Sequence, residues 1–103
     1  MGLFGGYEEV YRICRNTLND VEKKAIMSLL ENLSSQNTRL DSKQMADKYS
    51  KILPYSAALE RTGAKTHLSS AQVFGLLLMG HLHYLNEEWQ MKDVGKGKVY
   101  TKL

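Results

Sequence analysis

The chain has 103 residues, 43% of them hydrophobic and 24% charged, which is the size and make-up of one globular domain and too apolar for a wholly disordered chain. Its single cysteine, Cys14, excludes an intramolecular disulfide, and its longest apolar run, residues 73–79, is far short of the roughly 20 residues a membrane span needs. No charged-then-apolar leader with a small-residue cleavage site opens the sequence, so the expected location is the cytoplasm and no membrane partner is expected.

The net charge of +3 is unevenly placed. Residues 92–103 hold Lys92, Lys96, Lys98 and Lys102 against Asp93, which accounts for all of it. Residues 1–91 balance at ten basic and ten acidic side chains (14 less 4, and 11 less 1). Within that neutral part, residues 39–65 are locally basic.

Five helices are predicted in chain order. The first covers residues 6–18, where Tyr7, Val10, Tyr11, Cys14 and Leu18 form one apolar stripe at helical spacing. The second starts at Asn19, with Glu22 three residues on as a capping-box partner. It buries Ala25, Ile26, Leu29, Leu30 and Leu33 and ends in the polar run 34–37. The third starts at Asp41, with Gln44 in the matching position, and buries Met45, Tyr49, Ile52 and Leu53. Pro54 cannot continue that helix but suits the first turn of a fourth, over residues 54–62, with Gly63 expected as its left-handed C-terminal residue.

The fifth helix is expected to be the longest, over residues 69–91, capped by Ser69 and Gln72. Phe74, Leu78, Leu82, Leu85 and Trp89 make one stripe, widened by Val73, Leu76, Leu77, Met79 and Tyr84. An apolar arc so broad implies burial against more than one neighbour. Gly75 and Gly80 weaken this helix, and close approach of another helix would explain both. Residues 92–103 then read as a basic glycine-lysine tail, forming either a small hairpin around Gly95 and Gly97 or a disordered terminus. The expected fold is all-α, a bundle of about five helices in one domain over residues 1–91, followed by that tail.

For function, residues 42–65 stand out. Two short helices meeting at Ile52-Leu53-Pro54-Tyr55 have the outline of a helix-turn-helix, whose second helix enters the major groove. Ala46 would be the contact between the two helices, and Ser50 would occupy the turn position where glycine is common. Lys43, Lys51, Tyr55, Ser56, Arg61 and Lys65 are the side chains suited to phosphates or base edges. Lys96, Lys98 and Lys102 of the tail could follow a phosphate backbone.

Other chemistry has weaker support. His81 and His83 fall on opposite sides of a helix and cannot share an ion, and His83 with Glu87 lacks the close Cys and His companions of a zinc site. Cys14 belongs to an apolar stripe and is expected to be a buried, unreactive thiol. Gly2 lacks the Ser or Thr at position six that myristoylation requires, and Leu3 and Phe4 are expected to pin the first helix or reach a partner. No phosphate loop, nucleophile elbow or paired carboxylates is present.

The sequence thus predicts a small non-catalytic binding protein without a cofactor. The leading reading is a homodimeric regulator on double-stranded DNA, with Phe74, Leu78, Leu82 and Trp89 supplying the partner interface. The alternative is a module or inhibitor that binds a protein partner through exposed aromatics such as Tyr55, Trp89 and Tyr100. Short proteins of that second kind occur among phage and mobile-element products.

Overall fold

The computed structural model describes residues 5–84 and 88–103, with side chains described over 8–82 and 88–103. Among the described residues the order is α1 (Gly5–Thr17), α2 (Asp20–Gln36), β1 (Arg39–Asp41), α3 (Ser42–Tyr49), α4 (Tyr55–Thr66), α5 (Ser70–Met79), β2 (Trp89–Asp93) and β3 (Lys98–Lys102). A π-helical segment, Gly80–Tyr84, prolongs α5. The strands form an antiparallel sheet in the order β1-β3-β2, so the last strand is the central one.

Local chemistry sets most helix starts. Asn19 accepts the Glu22 amide at 2.8 Å, and the Glu22 carboxylate accepts the Asn19 amide at 2.9 Å. Ser69 and Gln72 repeat the device at the head of α5, at 3.1 and 2.9 Å. The Asp41 carboxylate accepts the amides of Lys43 and Gln44 at 3.0 and 3.1 Å and so caps α3. Each arrangement satisfies amides that the first helical turn would leave without partners.

The core is built around α5. Val73, Phe74, Leu77 and Leu78 are completely buried, and α1, α3 and α4 all pack against this helix. Tyr11 and Cys14 approach from α1 and Leu18 from just after it, Ala46 from α3, and Ala58, Leu59 and Thr62 from α4. Tyr49 stacks on Phe74 with ring centroids 6.1 Å apart. Three neighbours are what the broad apolar arc requires.

The expected helix over 69–91 does not run that far: the α-helix ends at Met79, and Trp89 is the first residue of a strand. Trp89 lies four residues after Leu85, which mimics a helical repeat. The actual pattern there is period two: Trp89 is buried, Gln90 exposed and Met91 half-buried. Leu3, Phe4, Leu85 and Glu87, and the side chains of Tyr7, His83 and Tyr84, lie outside the described residues.

The C-terminal segment is also not an appendage. Strand β3 pairs with β2 on one side and with β1 on the other, with Leu40 opposite Tyr100. Val99 and Tyr100 are buried, Tyr100 completely, in contact with the helical core. The sheet is therefore more than a hairpin, and the fold is mostly helical with a small three-stranded sheet rather than all-α.

Two glycine expectations change as well. Gly63 is inside α4; the left-handed C-terminal residue is His67, at φ 61°. A Cβ on Gly63 would lie 2.3 Å from the Leu68 carbonyl oxygen, so close approach of the following loop is the constraint there. On α5 and its extension the two glycines differ. A Cβ on Gly80 would meet the Tyr11 ring at 2.1 Å, which is the close helix approach expected. A Cβ on Gly75 would meet nothing within 4 Å. Gly75→Ala is therefore expected to stabilise the fold by up to about 1 kcal/mol through helix propensity, read as a rise in the urea midpoint.

Candidate binding groove

The open space beside Gly75 belongs to a groove of about 470 Å³. Its floor is the outer face of α5 with Leu68, two residues before it: Leu68, Ala71, Gln72, Gly75, Leu76 and Met79. One wall is α3, through Ser42, Lys43, Ala46 and Asp47, and the other is the turn of the β2–β3 hairpin, through Lys96, Gly97 and Lys98. Helical periodicity produces the floor. Residues 72 and 76 make one i, i+4 row, with Leu68 lying before the helix, and residues 71, 75 and 79 make the next, and small side chains at 71 and 75 leave a trough between bulkier ends.

The hairpin wall is fixed in place. The Lys98 amide donates to the Ser42 hydroxyl at 2.8 Å, tying β3 to the first residue of α3. A Cβ on Gly97 would come within 2.8 Å of that hydroxyl, and Gly97 has φ of +97°, so both space and backbone favour glycine. Asp93 accepts the Gly95 amide at 2.9 Å and the Lys98 ammonium at 2.8 Å. The Lys98 side chain, with the Gly95 amide, holds the Asp93 carboxyl below its ordinary range. Across the groove, Lys43 pairs with Asp47 at 3.0 Å.

The predicted DNA-contacting residues divide into two sets. Lys43, Lys96 and Lys98 come together around the groove. Lys51, Tyr55, Ser56, Arg61, Lys65 and Lys102 do not line it. Tyr55 is half-buried, edge-on to Tyr49 at 6.4 Å. The half-buried Ser56 donates its amide to the Ile52 carbonyl at 2.9 Å. Lys102 lies over the Trp89 ring at 5.8 Å. Lys51 and Lys65 are exposed, Lys65 on the outer face of α4 beside Ala57, Glu60 and Ala64.

Arg61 has a structural engagement. Its guanidinium holds the Glu22 carboxylate in a two-pronged contact, one prong at 2.6 Å, and donates to the Thr17 carbonyl at 3.0 Å. The same carboxylate caps α2, so this cluster fastens the α1–α2 junction to α4. The Arg61 hydrogen bond draws the Glu22 pKa below its ordinary 4.5. A carboxylate held low stabilises the fold above its unfolded pKa and loses that contribution as pH falls through the folded value. Arg61→Ala is therefore expected to lower the melting temperature near neutral pH. The deficit relative to the unaltered chain should shrink as pH falls below 4.5, which melts at a series of pH values would show.

Helices α3 and α4 are both held chiefly by α5 rather than by each other. Ala46, expected at a contact between those two helices, instead lines the groove. The expected interface residues Phe74, Leu78, Leu82 and Trp89 are buried within the chain's own core, so they offer a second chain no surface. The floor residues Leu68, Ala71, Gly75, Leu76 and Met79 were not expected as a site. Their signal in the sequence is the pair of small residues, four apart, on a helix otherwise made of large ones.

Other reactive groups are enclosed. Cys14 is completely buried, and burial pushes its thiol pKa up, away from the reactive thiolate. His81 is half-buried, with Nε2 3.4 Å from Glu31 and 3.5 Å from the Ser34 hydroxyl, and burial lowers its pKa. Among the described residues no group of three or more His, Cys, Asp or Glu is arranged to hold a metal ion. No described helix is long and apolar enough to cross a membrane. Comparison with family models, curated proteins and solved structures finds no match.

Proposed function

We propose that this chain is a small non-catalytic binding protein that receives a protein partner in the groove between α3, α5 and the β2–β3 hairpin. The observation that carries this reading is the groove floor: Leu68, Ala71, Leu76 and Met79 form a concave, mostly carbon surface around the open position at Gly75. Apolar concavities with a polar rim favour occupants that bring apolar side chains of their own.

Double-stranded DNA is the second reading, supported by the meeting of Lys43, Lys96 and Lys98 beside α3. Its difficulty is energetic: a phosphate backbone laid along the groove would face carbon rather than donors over most of the floor.

A photo-crosslinking residue placed at Gln72, in the groove, and separately at Lys65, on the outer face of α4, distinguishes the two. In native lysate the groove position is expected to give a discrete protein adduct and the α4 position none. Adducts from the α4 position alone would contradict the proposal. So would tight, steeply salt-dependent binding of mixed-sequence duplex DNA by the purified chain.

A further inference from the structure

We infer that the groove's occupant is an acidic amphipathic helix of a partner protein, an inference that rests on the groove being the binding site. The first ground is electrostatic. Residues 89–103 carry four lysines and one aspartate, a balance of +3, which equals the net charge of the whole chain. Two of these lysines reach the groove: Lys96, exposed in the turn, and Lys98, whose ammonium pairs with Asp93 at 2.8 Å, while Lys102 lies over the Trp89 ring. Lys43 adds a cation on the opposite wall, and Asp47, its ion-pair partner, is the acidic residue among the lining groups. Lys43, Lys96 and Lys98 against Asp47 and Asp93 leave a balance of +1 on the rim, which attracts acidic side chains, while the floor selects an occupant with an apolar face.

The second ground is shape. The helical part of the floor, from Ala71 to Met79, extends for about 12 Å at the helical rise, enough for about two turns of a second helix. The trough between two i, i+4 rows takes a row of side chains from a crossing helix, and Gly75 gives the point of nearest approach. An occupant with apolar residues at i, i+3, i+4 and i+7 and glutamates or aspartates along its hairpin-facing edge meets both conditions.

The test is fluorescence anisotropy with the full chain and a labelled peptide of about four helical turns, leucines on one face and glutamates on the flanks. Two control peptides keep its length: one replaces every glutamate by lysine, the other scrambles the order. The glutamate peptide is expected to bind at least ~10-fold more tightly than either control, and less tightly as salt rises. Gly75→Phe, which fills the trough, should weaken binding at least ~10-fold while the chain keeps its helical circular dichroism. Lys96→Glu, at an exposed turn where folding is not at stake, should weaken it ~3- to 10-fold and flatten the salt dependence.

Equal binding of the glutamate and lysine peptides would overturn the inference, as would unchanged affinity in Lys96→Glu or full competition by duplex DNA. Sedimentation of the chain alone as a dimer that Gly75→Phe dissociates would also overturn it, because a second copy would then cover the groove. A protein adduct from position 72 combined with equal peptide affinities would leave the groove reading standing and remove only the acidic helix. Absence of both adduct and peptide binding would remove the two together.

Discussion

Deleting residues 94–103 should abolish cooperative unfolding, leaving a chain without a defined melting transition. A basic solubilising tail could be removed with little consequence, but β3 is the central strand of the sheet. Its loss strands β1 and β2 without a partner, because neither pairs with the other. The deletion also removes Val99 and Tyr100 from the core, the hydrogen bond from the Lys98 amide to Ser42, and that from the Lys102 amide to the Thr38 carbonyl. Tyr100→Ala isolates one part of this. The side chain is completely buried, and truncating a buried aromatic costs about 3–5 kcal/mol. A domain of this size has roughly 5–15 kcal/mol in total, so the single substitution should shift the urea midpoint by a large fraction of its value. An unchanged midpoint would mean that the strand does not belong to the core.

The second large effect concerns two glycines that the fold uses as contact points. Gly63→Ala places a methyl group 2.3 Å from the Leu68 carbonyl oxygen, and that loop is held by the Leu68 amide bonding to the Gly63 carbonyl at 3.0 Å. Backbone rather than a side-chain tip must move, so the cost should reach or exceed the upper end of the ~1–3 kcal/mol typical of overpacking. Gly80→Ala drives a methyl into the ring of Tyr11, itself buried against the core. The same range applies there, offset by up to about 1 kcal/mol of helix propensity. Denaturant midpoints should therefore fall most for Gly63→Ala and less for Gly80→Ala, while Gly75→Ala rises above the unaltered chain. If Gly80→Ala and Gly75→Ala behave alike, the close approach of α1 to the π-helical segment is wrong.

These effects follow the boundary between what was legible in the sequence and what was not. The caps at Asn19, Asp41 and Ser69 were legible because donor and acceptor lie within three residues. So was the central position of α5, since a helix apolar on nearly every side has to be enclosed. The β2–β3 hairpin was legible as one of two readings of the glycine-lysine segment, but its pairing with β1 was not, because β1 is only three residues long and Leu40 meets Tyr100 across 60 positions of sequence. Arg61 read as a free cation for DNA because its partner, Glu22, is 39 residues away and already engaged in a cap. The groove was hidden for a similar reason. Its floor and two walls come from three separate segments, and only Ala71 and Gly75 marked the open face.

Exposed lysines in the sequence pointed to DNA on the α3–α4 side, whereas the proposed protein partner is placed on the α5 side. Basic charge alone does not separate these two. The proposal rests on the placement of Lys43, Lys96 and Lys98 around a carbon floor and on the engagement of Arg61 by Glu22.

The most direct measurement is an amide nitrogen–proton shift map of the labelled chain titrated with the partner captured through Gln72. The groove account predicts that perturbations concentrate at Ala71, Gly75, Leu76 and Met79 on α5 and at Lys96 and Gly97 in the hairpin turn. Perturbations concentrated instead at Ala57, Arg61, Ala64 and Lys65 on α4, with the α5 face unmoved, would contradict it.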